Sequence, residues 1–246
     1  MDVRILESPN QLGKAAGVAA ADLIRTAISK KNNANIILAT GTSQFETLNQ
    51  LIAEPHIDWS KVVMFHLDEY IGLPIAHAAS FRKYLKERFL SKVPALSATY
   101  LINGEANASN ECSRLGNYIS RHPIDVALVG IGENGHLAFN DPPADFETED
   151  PYIVVQLDEA CRKQQLGEGW FRNLDEVPDK AISMSIKQIL KSKSIICSVP
   201  DLRKAIAIRN CMKNPVTNLF PATALQQHPR CICYLDKESS SLLSDQ

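Results

Sequence analysis

Short β-rich runs alternate with helix-period segments along the whole chain of 246 residues. The clearest of these runs, from Ile124 to Val129, is almost wholly apolar, as a strand covered on both faces should be. Alternation of this kind is typical of βα units, in which consecutive strands lie parallel and helices cover the sheet. The sequence therefore predicts an α/β fold built on a mainly parallel open sheet.

The same patterns predict the bounds of the individual elements. Helices are expected over residues 9–29, from the turn at 40–43 through 51, and over 80–90, 110–121, 159–167, 202–212 and 223–227, with Asn110 as a helix cap. Strands are expected over residues 35–39, 62–67, 124–129, 153–156, 181–184, 194–199 and 231–235. No repeat or long linker divides the chain, so we expect one domain over residues 1–246.

Two segments stand outside this regular pattern. Residues 141–150 are rich in proline and acid and follow the candidate site directly, so they form either a mobile lid or an ordinary surface loop. The polar residues 237–246 close the chain, and we expect this tail to fray.

Composition excludes several classes of partner. A net charge of −2 gives no basic field for nucleic acid, and no apolar run approaches the roughly 18 residues of a membrane span. Charges close to the N-terminus argue against a secretory signal, so we expect a cytoplasmic protein that acts on a small molecule. The six cysteines are scattered, mostly among apolar neighbours, and we expect them to be reduced thiols.

The first candidate site is the turn of Thr40, Gly41, Thr42 and Ser43, which we call the anion loop. It follows a predicted strand and begins a helix, so its backbone N–H groups and hydroxyls can hold an anion such as phosphate. Taken alone, the same residues also suit plain helix capping.

Two adjacent carboxylates, Asp68 and Glu69, end another apolar strand. Because neighbouring side chains on a strand diverge, one carboxylate should face the cleft while the other anchors a loop or a subunit contact. A solvated acidic strand end is the alternative interpretation.

A glycine loop with Gly130, Gly132 and Gly135 follows the strand at 124–129 and presents His136. These glycines allow close backbone approach to a ligand, and open α/β sheets bind ligands at the carboxyl ends of their strands. Lys204 follows a strand at the same predicted edge and can close over a phosphate, as can Arg162. For both cations an exposed position on a helix is the alternative.

Together these motifs resemble the glucosamine-6-phosphate deaminase family, within the sugar-phosphate isomerase and 6-phosphogluconolactonase superfamily. The resemblance rests on the Asp-Glu-Tyr-x-Gly-Leu element at 68–73 and the Gly-x-Gly-x-x-Gly-His-x-Ala-Phe-Asn element at 130–140, and it spans nearly the whole chain. It implies a three-layer α/β/α, Rossmann-like open sheet. It also implies an enzyme that converts glucosamine 6-phosphate and water to fructose 6-phosphate and ammonia, with no organic cofactor and no metal.

The resemblance implies a role for each candidate residue. Asp68 matches the base that moves a proton between C2 and C1 of the opened sugar, and His136 matches the histidine that assists ring opening. Asp141 matches the carboxylate partner of that histidine, which Asn134 can orient by hydrogen bonding. The implied substrate-binding residues are Thr40, Gly41, Thr42, Ser43, Lys204 and Arg162 for the phosphate, and Gly132 and Gly135 in the substrate loop.

Three positions depart from the family pattern. Family members commonly carry glutamate where this chain has Asp141, and some carry aspartate where it has Asn134. The family's phosphate-binding arginine has no clean counterpart, and Gln164 or Gln165 can face the substrate instead of Arg162. No Lys or Arg lies between positions 141 and 161, so we expect little activation by N-acetylglucosamine 6-phosphate.

The resemblance leaves three alternatives open. A galactosamine-6-phosphate deaminase needs the same catalytic groups, whereas a 6-phosphogluconolactonase typically has arginine where this chain has Tyr70. The third alternative is an inactive sugar-phosphate-sensing domain of the kind found in transcriptional regulators. We expect a small sugar phosphate as the partner, no nucleic acid and no membrane, and a chain that can form a homo-oligomer.

Overall fold

The computed structural model describes residues 1–243 of the chain. Its strands are β1 (Asp2–Leu6), β2 (Ala34–Leu38), β3 (Val62–His66), β4 (Asp68–Tyr70), β5 (Ala98–Tyr100), β6 (Val126–Val129), β7 (Tyr152–Gln156), β8 (Lys180–Met184), β9 (Ser194–Val199) and β10 (Cys231–Asp236). Its α-helices are α1 (Pro9–Lys31), α2 (Phe45–Ala53), α3 (Phe81–Leu85), α4 (Ala108–Ile119), α5 (Glu159–Gly167), α6 (Ile186–Leu190) and α7 (Ala205–Lys213). Short 3-10 segments lie at Thr42–Gln44, Trp59–Lys61, Leu174–Glu176, Leu202–Lys204 and Pro221–Gln227, and a π-helical turn, Lys86–Leu90, extends α3.

The main sheet has seven strands in the order β1-β10-β9-β6-β2-β3-β5, and each neighbouring pair is parallel. The chain builds outward from β2 through β3 to β5 and then returns to the other side of β2 with β6. The strand order therefore reverses between β2 and β6, where α/β sheets bind ligands at the carboxyl ends of the strands. Since the anion loop follows β2 and the glycine loop follows β6, the topology brings the two loops side by side.

Alternate residues of the central strands pack against opposite helical layers. In β2, Ile36 belongs to the core formed with α1 and α2, whereas Ile37 belongs to the core on the other face of the sheet. Both side chains are fully buried. This two-sided burial confirms the predicted three-layer α/β/α, Rossmann-like arrangement, and it explains why the strands are continuous apolar runs in the sequence.

Helix α1 covers one face of the sheet and reaches the candidate site with its first residue. The hydroxyl of Ser8 accepts a hydrogen bond from the Gln11 N–H, Pro9 occupies the first turn, and the helix ends at Asn32 in the left-handed conformation. Its inner face carries small residues such as Ala16, which lets it pack closely on α2. In the described part of the chain, no helix combines the length and the apolar character needed to cross a bilayer.

A second sheet of three antiparallel strands, in the order β4-β8-β7, stands beside the main sheet. Asp68 pairs with Ser183, and Tyr70 pairs with Ala181. The sequence patterns do not predict β4 as a separate strand, because only Leu67 lies between it and β3. This small sheet fixes the direction of the Asp68 side chain, which matters for the site.

Some predicted bounds are wrong in detail. The cap of α4 is Asn107, whose side chain accepts from the N–H of Asn110, so the predicted cap is displaced by about one turn. Strand β1 is absent from the predictions because an edge strand can expose its charged residues, such as Arg4, and then lacks an apolar run. The helix expected over 202–212 begins as a 3-10 turn before α7.

The two irregular segments are held by specific contacts. In the segment 141–150, the N–H of Ala144 donates to the Asn218 carbonyl, and Glu149 forms an ion pair of 2.8 Å with Lys187. In the tail, Ser239 is fully buried and its N–H donates to the Asp236 carboxylate across 2.7 Å. Within residues 237–243 these contacts join the tail to the end of β10, and fraying stays a prediction; the rest of the predicted tail, 244–246, lies outside the described residues.

Candidate active site

The carboxyl ends of β9, β6, β2 and β3 surround a cavity of about 460 Å³. The candidate residues that line it are Thr40, Gly41, Thr42, Ser43, Asp68, Gly132, His136 and Lys204. Four neighbouring strands therefore bring the anion loop, a carboxylate, an imidazole and an ammonium group to one place, although these groups are far apart in the sequence.

The anion loop is tied to its neighbours on three sides. Gln44, which follows the loop, donates from its side-chain amide to the hydroxyl of Ser43 and to the carbonyls of Val129 in β6 and Ser198 in β9. The Tyr84 hydroxyl donates to the Gly41 carbonyl across 3.1 Å. Because these bonds fix the loop before any ligand binds, its free N–H groups and hydroxyls are preorganised for an anion.

Lys204 supplies the positive charge at this end of the cavity. Lys204 is only 6% exposed, and its ammonium group forms no ion pair and no hydrogen bond with any described residue. Burial lowers the pKa of Lys204, while Glu133 and Glu168 partly offset that effect. A buried ammonium without a partner is costly, so its position in the cavity wall indicates an anionic ligand.

Asp68 and Glu69 diverge, as the alternation of side chains along a strand predicts. Glu69 is fully buried and accepts hydrogen bonds from the backbone N–H groups of Phe81 and Arg82 and from the Ser80 hydroxyl. It therefore anchors the start of α3. The Asp68 carboxylate lines the cavity and forms no hydrogen bond with any described residue.

The environment of Asp68 makes its carboxyl group a weak acid. Burial disfavours the ionised form, and the neighbouring Glu69 carboxylate adds repulsion, so the pKa of Asp68 rises to about 8. A carboxylate with a pKa near the working pH is suited to taking and returning a proton. The cavity thus contains a base that no residue among 1–243 neutralises.

His136 reaches the cavity because the glycine loop passes close to its ring. A Cβ on Gly132 would overlap the imidazole, so only glycine fits there. Gly135 has a φ of 87°, in the left-handed region that glycine adopts without strain, and it turns the chain toward His136. The loop is closed by the Gly132 N–H, which donates to the His136 carbonyl across 3.0 Å.

Asp141 lies behind the imidazole, on the side away from the cavity. Its Oδ1 atom is 2.9 Å from Nδ1 of His136 and accepts from the Asn134 amide across 3.0 Å, while Oδ2 accepts from the Asp158 N–H across 3.0 Å. Burial alone would raise the pKa of Asp141, but the bonds from His136, Asn134 and Asp158 outweigh it and hold the pKa below its usual value. An ionised carboxylate at this position accepts from Nδ1–H and leaves Nε2 toward the cavity.

Asn134 holds this arrangement together without touching the cavity. Its amide donates both to Asp141 and to Asp158, the latter across 3.1 Å, and its oxygen accepts from the His136 N–H. Asp158 caps α5 by accepting from the Cys161 N–H. Sequence patterns give no indication of Asp158 beyond its suitability as a helix cap.

Arg162 is not at the site. Its guanidinium donates to the carbonyls of Leu174 and Val177, with a shortest distance of 2.6 Å, and it does not line the cavity. Arg162 lies on the opposite face of α5 from Gln164, and its guanidinium is engaged by the carbonyls after the helix, whereas Gln164 and Gln165 both line the cavity. The alternative that glutamine faces the substrate therefore fits the geometry, and the expected arginine contact does not.

Glu168, which the sequence patterns do not single out, also lines the cavity. It follows the last residue of α5 and shares the helix face of Gln164 and Gln165. Gln164 accepts from the Glu133 N–H across 2.7 Å, and Gln165 accepts from the Tyr70 hydroxyl across 2.7 Å. The end of α5 thus forms a polar wall opposite the anion loop.

His136, Asp141 and Cys161 offer three potential metal-ligand atoms within 4.8 Å of one another. Burial and the Asp141 carboxylate raise the pKa of the Cys161 thiol, which disfavours the thiolate that binds metals. The hydrogen bond with Asp141 already engages Nδ1 of His136. Hydrogen bonding explains the cluster, and we assign no metal to it.

Comparison with known proteins gives one consistent result. The model of the family described as glucosamine-6-phosphate isomerases/6-phosphogluconolactonase matches residues 7–233. A glucosamine-6-phosphate deaminase from Bacillus cytotoxicus is 33% identical over 246 residues, which cover 100% of this chain and 90% of that protein. The corresponding deaminase from Bacillus thuringiensis is 31% identical with the same coverage.

Solved structures share the fold. A monomeric glucosamine-6-phosphate deaminase superposes with a TM-score of 0.88 at 31% identity, covering 98% of this chain and 100% of that one. A 6-phosphogluconolactonase from Trypanosoma brucei superposes with a TM-score of 0.80 at 17% identity, covering 99% of this chain and 98% of that one. At 17% identity, the comparison with the lactonase supports a shared fold and nothing more.

Proposed function

Because the chain belongs to the glucosamine-6-phosphate isomerase/6-phosphogluconolactonase family, we propose that it is an amino-sugar phosphate deaminase that converts glucosamine 6-phosphate and water to fructose 6-phosphate and ammonia. One observation carries the proposal: a single cavity contains the imidazole of His136, the ammonium of Lys204 and the carboxylate of Asp68, and neither of the last two pairs with a described residue. This reaction needs a subsite that binds the phosphate, a base and a group that opens the sugar ring.

The substrate phosphate is assigned to the anion loop and Lys204. The turn of 3-10 helix at Thr42–Gln44 leads into α2, so the positive end of that helix adds to the charge of Lys204. With the phosphate at this end, the sugar carbons extend along the cavity toward Asp68 and His136. The protein binds C6 and its phosphate and leaves C1 and C2 at the catalytic groups.

His136 is assigned to ring opening. In the cyclic sugar the C1 hydroxyl must lose a proton and the ring oxygen must gain one before the C1–O5 bond breaks. The Nε2 atom of His136 can carry that proton, because Asp141 holds Nδ1 and stabilises the charged imidazolium. The open-chain aldehyde then presents C1 and C2 to Asp68.

Asp68 is assigned to the proton transfer between the two carbons. Its ionised carboxylate removes the proton from C2 while the C1 oxygen takes up a proton from the substrate's own ammonium group, which gives an enolamine. The carboxyl group then returns its proton to C1, which gives a protonated imine at C2. Water adds to that imine, and ammonia leaves with formation of the ketose. The proton at C2 is acidic enough for a carboxylate because the neighbouring C1 carbonyl takes up the negative charge.

The groups that line the cavity all come from one chain, so the proposal needs no second subunit. The solved deaminase with a TM-score of 0.88 is itself described as monomeric. We therefore include in the proposal that an isolated chain is active, with a small sugar phosphate as its only required partner.

The decisive experiment supplies purified protein separately with glucosamine 6-phosphate, galactosamine 6-phosphate and 6-phosphogluconolactone, and follows ammonia, ketose phosphate and acid release. We expect ammonia and fructose 6-phosphate from the first substrate. Asp68→Asn should abolish ammonia release, whereas Asp58→Asn, which removes an exposed carboxylate outside the cavity, should leave it unchanged. Acid release from the lactone without ammonia release from either amino sugar contradicts the proposal.

A further inference from the structure

We propose that Glu168 determines how tightly the anion subsite holds its ligand: its carboxyl group takes up a proton when a phosphate binds and then donates a hydrogen bond to it. The proposal rests on the proposed function only in assigning the phosphate of the substrate to this subsite. It concerns anion binding, so it can be tested without turnover.

The position of Glu168 carries the argument. Both oxygens of its carboxyl group lie 4.0 Å from the point where a Cβ on Gly41 would be, so the group stands directly over the anion loop. Glu168 and Lys204 line the same cavity, yet among residues 1–243 they form no ion pair with each other. An anion on the loop therefore meets an ammonium on one side and a carboxyl group on another.

The surrounding charges favour a proton on Glu168. Burial raises its pKa, and Lys204, Arg203 and a hydrogen bond with Gln164 only partly oppose that effect, while the Glu133 carboxylate adds to it. The phenols of Tyr84 on α3 and Tyr70 on β4 also couple to Glu168. A second, smaller cavity is lined by Glu168 together with the charged residues Lys83, Glu87 and Arg88.

Arg203 does little to neutralise Glu168. Its guanidinium pairs with Asp201 at 3.2 Å and with Glu133 at 3.5 Å. Lys204 is thus the main cation for both the ligand and the ionised form of Glu168. A doubly charged anion on the anion loop competes with Glu168 for the Lys204 ammonium and repels the Glu168 carboxylate. Protonation of Glu168 removes this repulsion and gives the carboxyl group an O–H that can donate a hydrogen bond to the anion.

The test measures sulfate binding, because sulfate keeps the same charge across the neutral range whereas phosphate does not. We expect the dissociation constant of the unaltered protein to rise with pH where Glu168 is ionised in the free protein, by up to about tenfold per pH unit, because Glu168 must then take up a proton. Glu168→Gln, which keeps a donor without a charge, should bind sulfate about tenfold more tightly than the unaltered protein at alkaline pH and show a flatter profile.

Calorimetry in buffers with different heats of ionisation gives a second, independent readout. The unaltered protein should take up about one more proton per sulfate bound than Glu168→Gln, and the comparison cancels any proton taken up by Lys204, which both proteins share. Glu159→Gln is the matched control, since it removes an exposed carboxylate from the first turn of α5, the helix that Glu168 follows, outside the cavity. It should behave like the unaltered protein.

Two results overturn the proposal. One is a Glu168→Gln protein that binds sulfate no more tightly and takes up as many protons as the unaltered protein. The other is an equal change in Glu159→Gln, which would indicate a general effect of net charge. Both results are read from binding, so they stay distinct from a failure of the proposed function, which appears as absent ammonia release.

Discussion

The carboxylate of Asp141 lies 2.9 Å from Nδ1 of His136, and this contact decides which ring nitrogen faces the cavity. A carboxylate only accepts, so Nδ1 carries the hydrogen and Nε2 is left for the substrate. The shorter side chain of aspartate suffices here because the Asp158 N–H and the Asn134 amide also hold the carboxylate. Glutamate, the common family residue, would have to displace these donors.

Asp141→Asn should lower kcat by at least about 100-fold, because an amide can present its own N–H to Nδ1 and turn the imidazole into the wrong tautomer. Asp141→Glu should also lose activity, despite its chemical similarity, since the longer side chain does not fit the three donors. Steady-state kinetics with glucosamine 6-phosphate measures both effects. Asp150→Asn, an exposed residue of the following loop, is the control, and full activity in Asp141→Asn would remove Asp141 from the mechanism.

The pKa of Asp68, raised to about 8 by burial and by the Glu69 carboxylate, gives the activity a defined pH dependence. The ionised form is the base, so kcat/KM should rise as the pH increases and level off above about 8. The measurement is kcat/KM for glucosamine 6-phosphate across the neutral and mildly alkaline range. Because the proton uptake proposed for Glu168 opposes this rise in kcat/KM, the deciding profile is that of Glu168→Gln, and a profile of this variant that is flat, or that falls with increasing pH, contradicts the assignment of Asp68 as the base.

The same residue should make the folded protein less stable as the pH increases. The folded-state pKa of Asp68 lies above the unfolded value, so its contribution to stability is complete below the unfolded pKa and is lost as the pH rises through about 8. Asp68→Asn should therefore raise the free energy of unfolding at alkaline pH, by an amount on the order of a few kcal/mol, and have little effect at about pH 4, close to the unfolded pKa. Chemical denaturation at the two pH values checks this, and equal effects at both would count against it.

Much of the site could be predicted because its parts are local patterns. The anion loop and the glycine loop each follow a buried strand, and a parallel sheet places the ends of its strands at one edge. Glu168 could not be predicted in this way. Helix α5 has the predicted bounds, but nothing near Glu168 in the sequence indicates that the end of this helix lies over Gly41.

Arg162 also shows that local sequence patterns do not decide which side chains reach the cavity. It is an arginine within the expected region, yet a step of two residues along a helix, from Arg162 to Gln164, changes the face by more than a right angle. Local patterns also do not predict the separate sheet that contains β4, because Asp68 pairs with Ser183, more than a hundred residues further along the chain. In each case a long-range contact decides which side chain reaches the cavity.

Asn134 provides the sharpest test of the network behind the imidazole. Its amide donates to two carboxylates, those of Asp141 and Asp158, across 3.0 and 3.1 Å. Asn134→Asp would replace these donors by a third carboxylate within hydrogen-bonding distance of the other two. We expect it to lower the free energy of unfolding by about 1–3 kcal/mol and to lower kcat, because Asp141 loses a donor and repulsion displaces it from His136.

The loss in Asn134→Asp should depend on pH. A protonated aspartate can still donate one hydrogen bond, so the decrease in kcat relative to the unaltered protein should be smaller at low pH than at high pH. Parallel kcat profiles and denaturation curves measure the effect, with Asn117→Asp on the exposed face of α4 as the matched control. If Asn134→Asp retains the stability and the pH profile of the unaltered protein, the amide does not hold the Asp141 carboxylate in place during turnover.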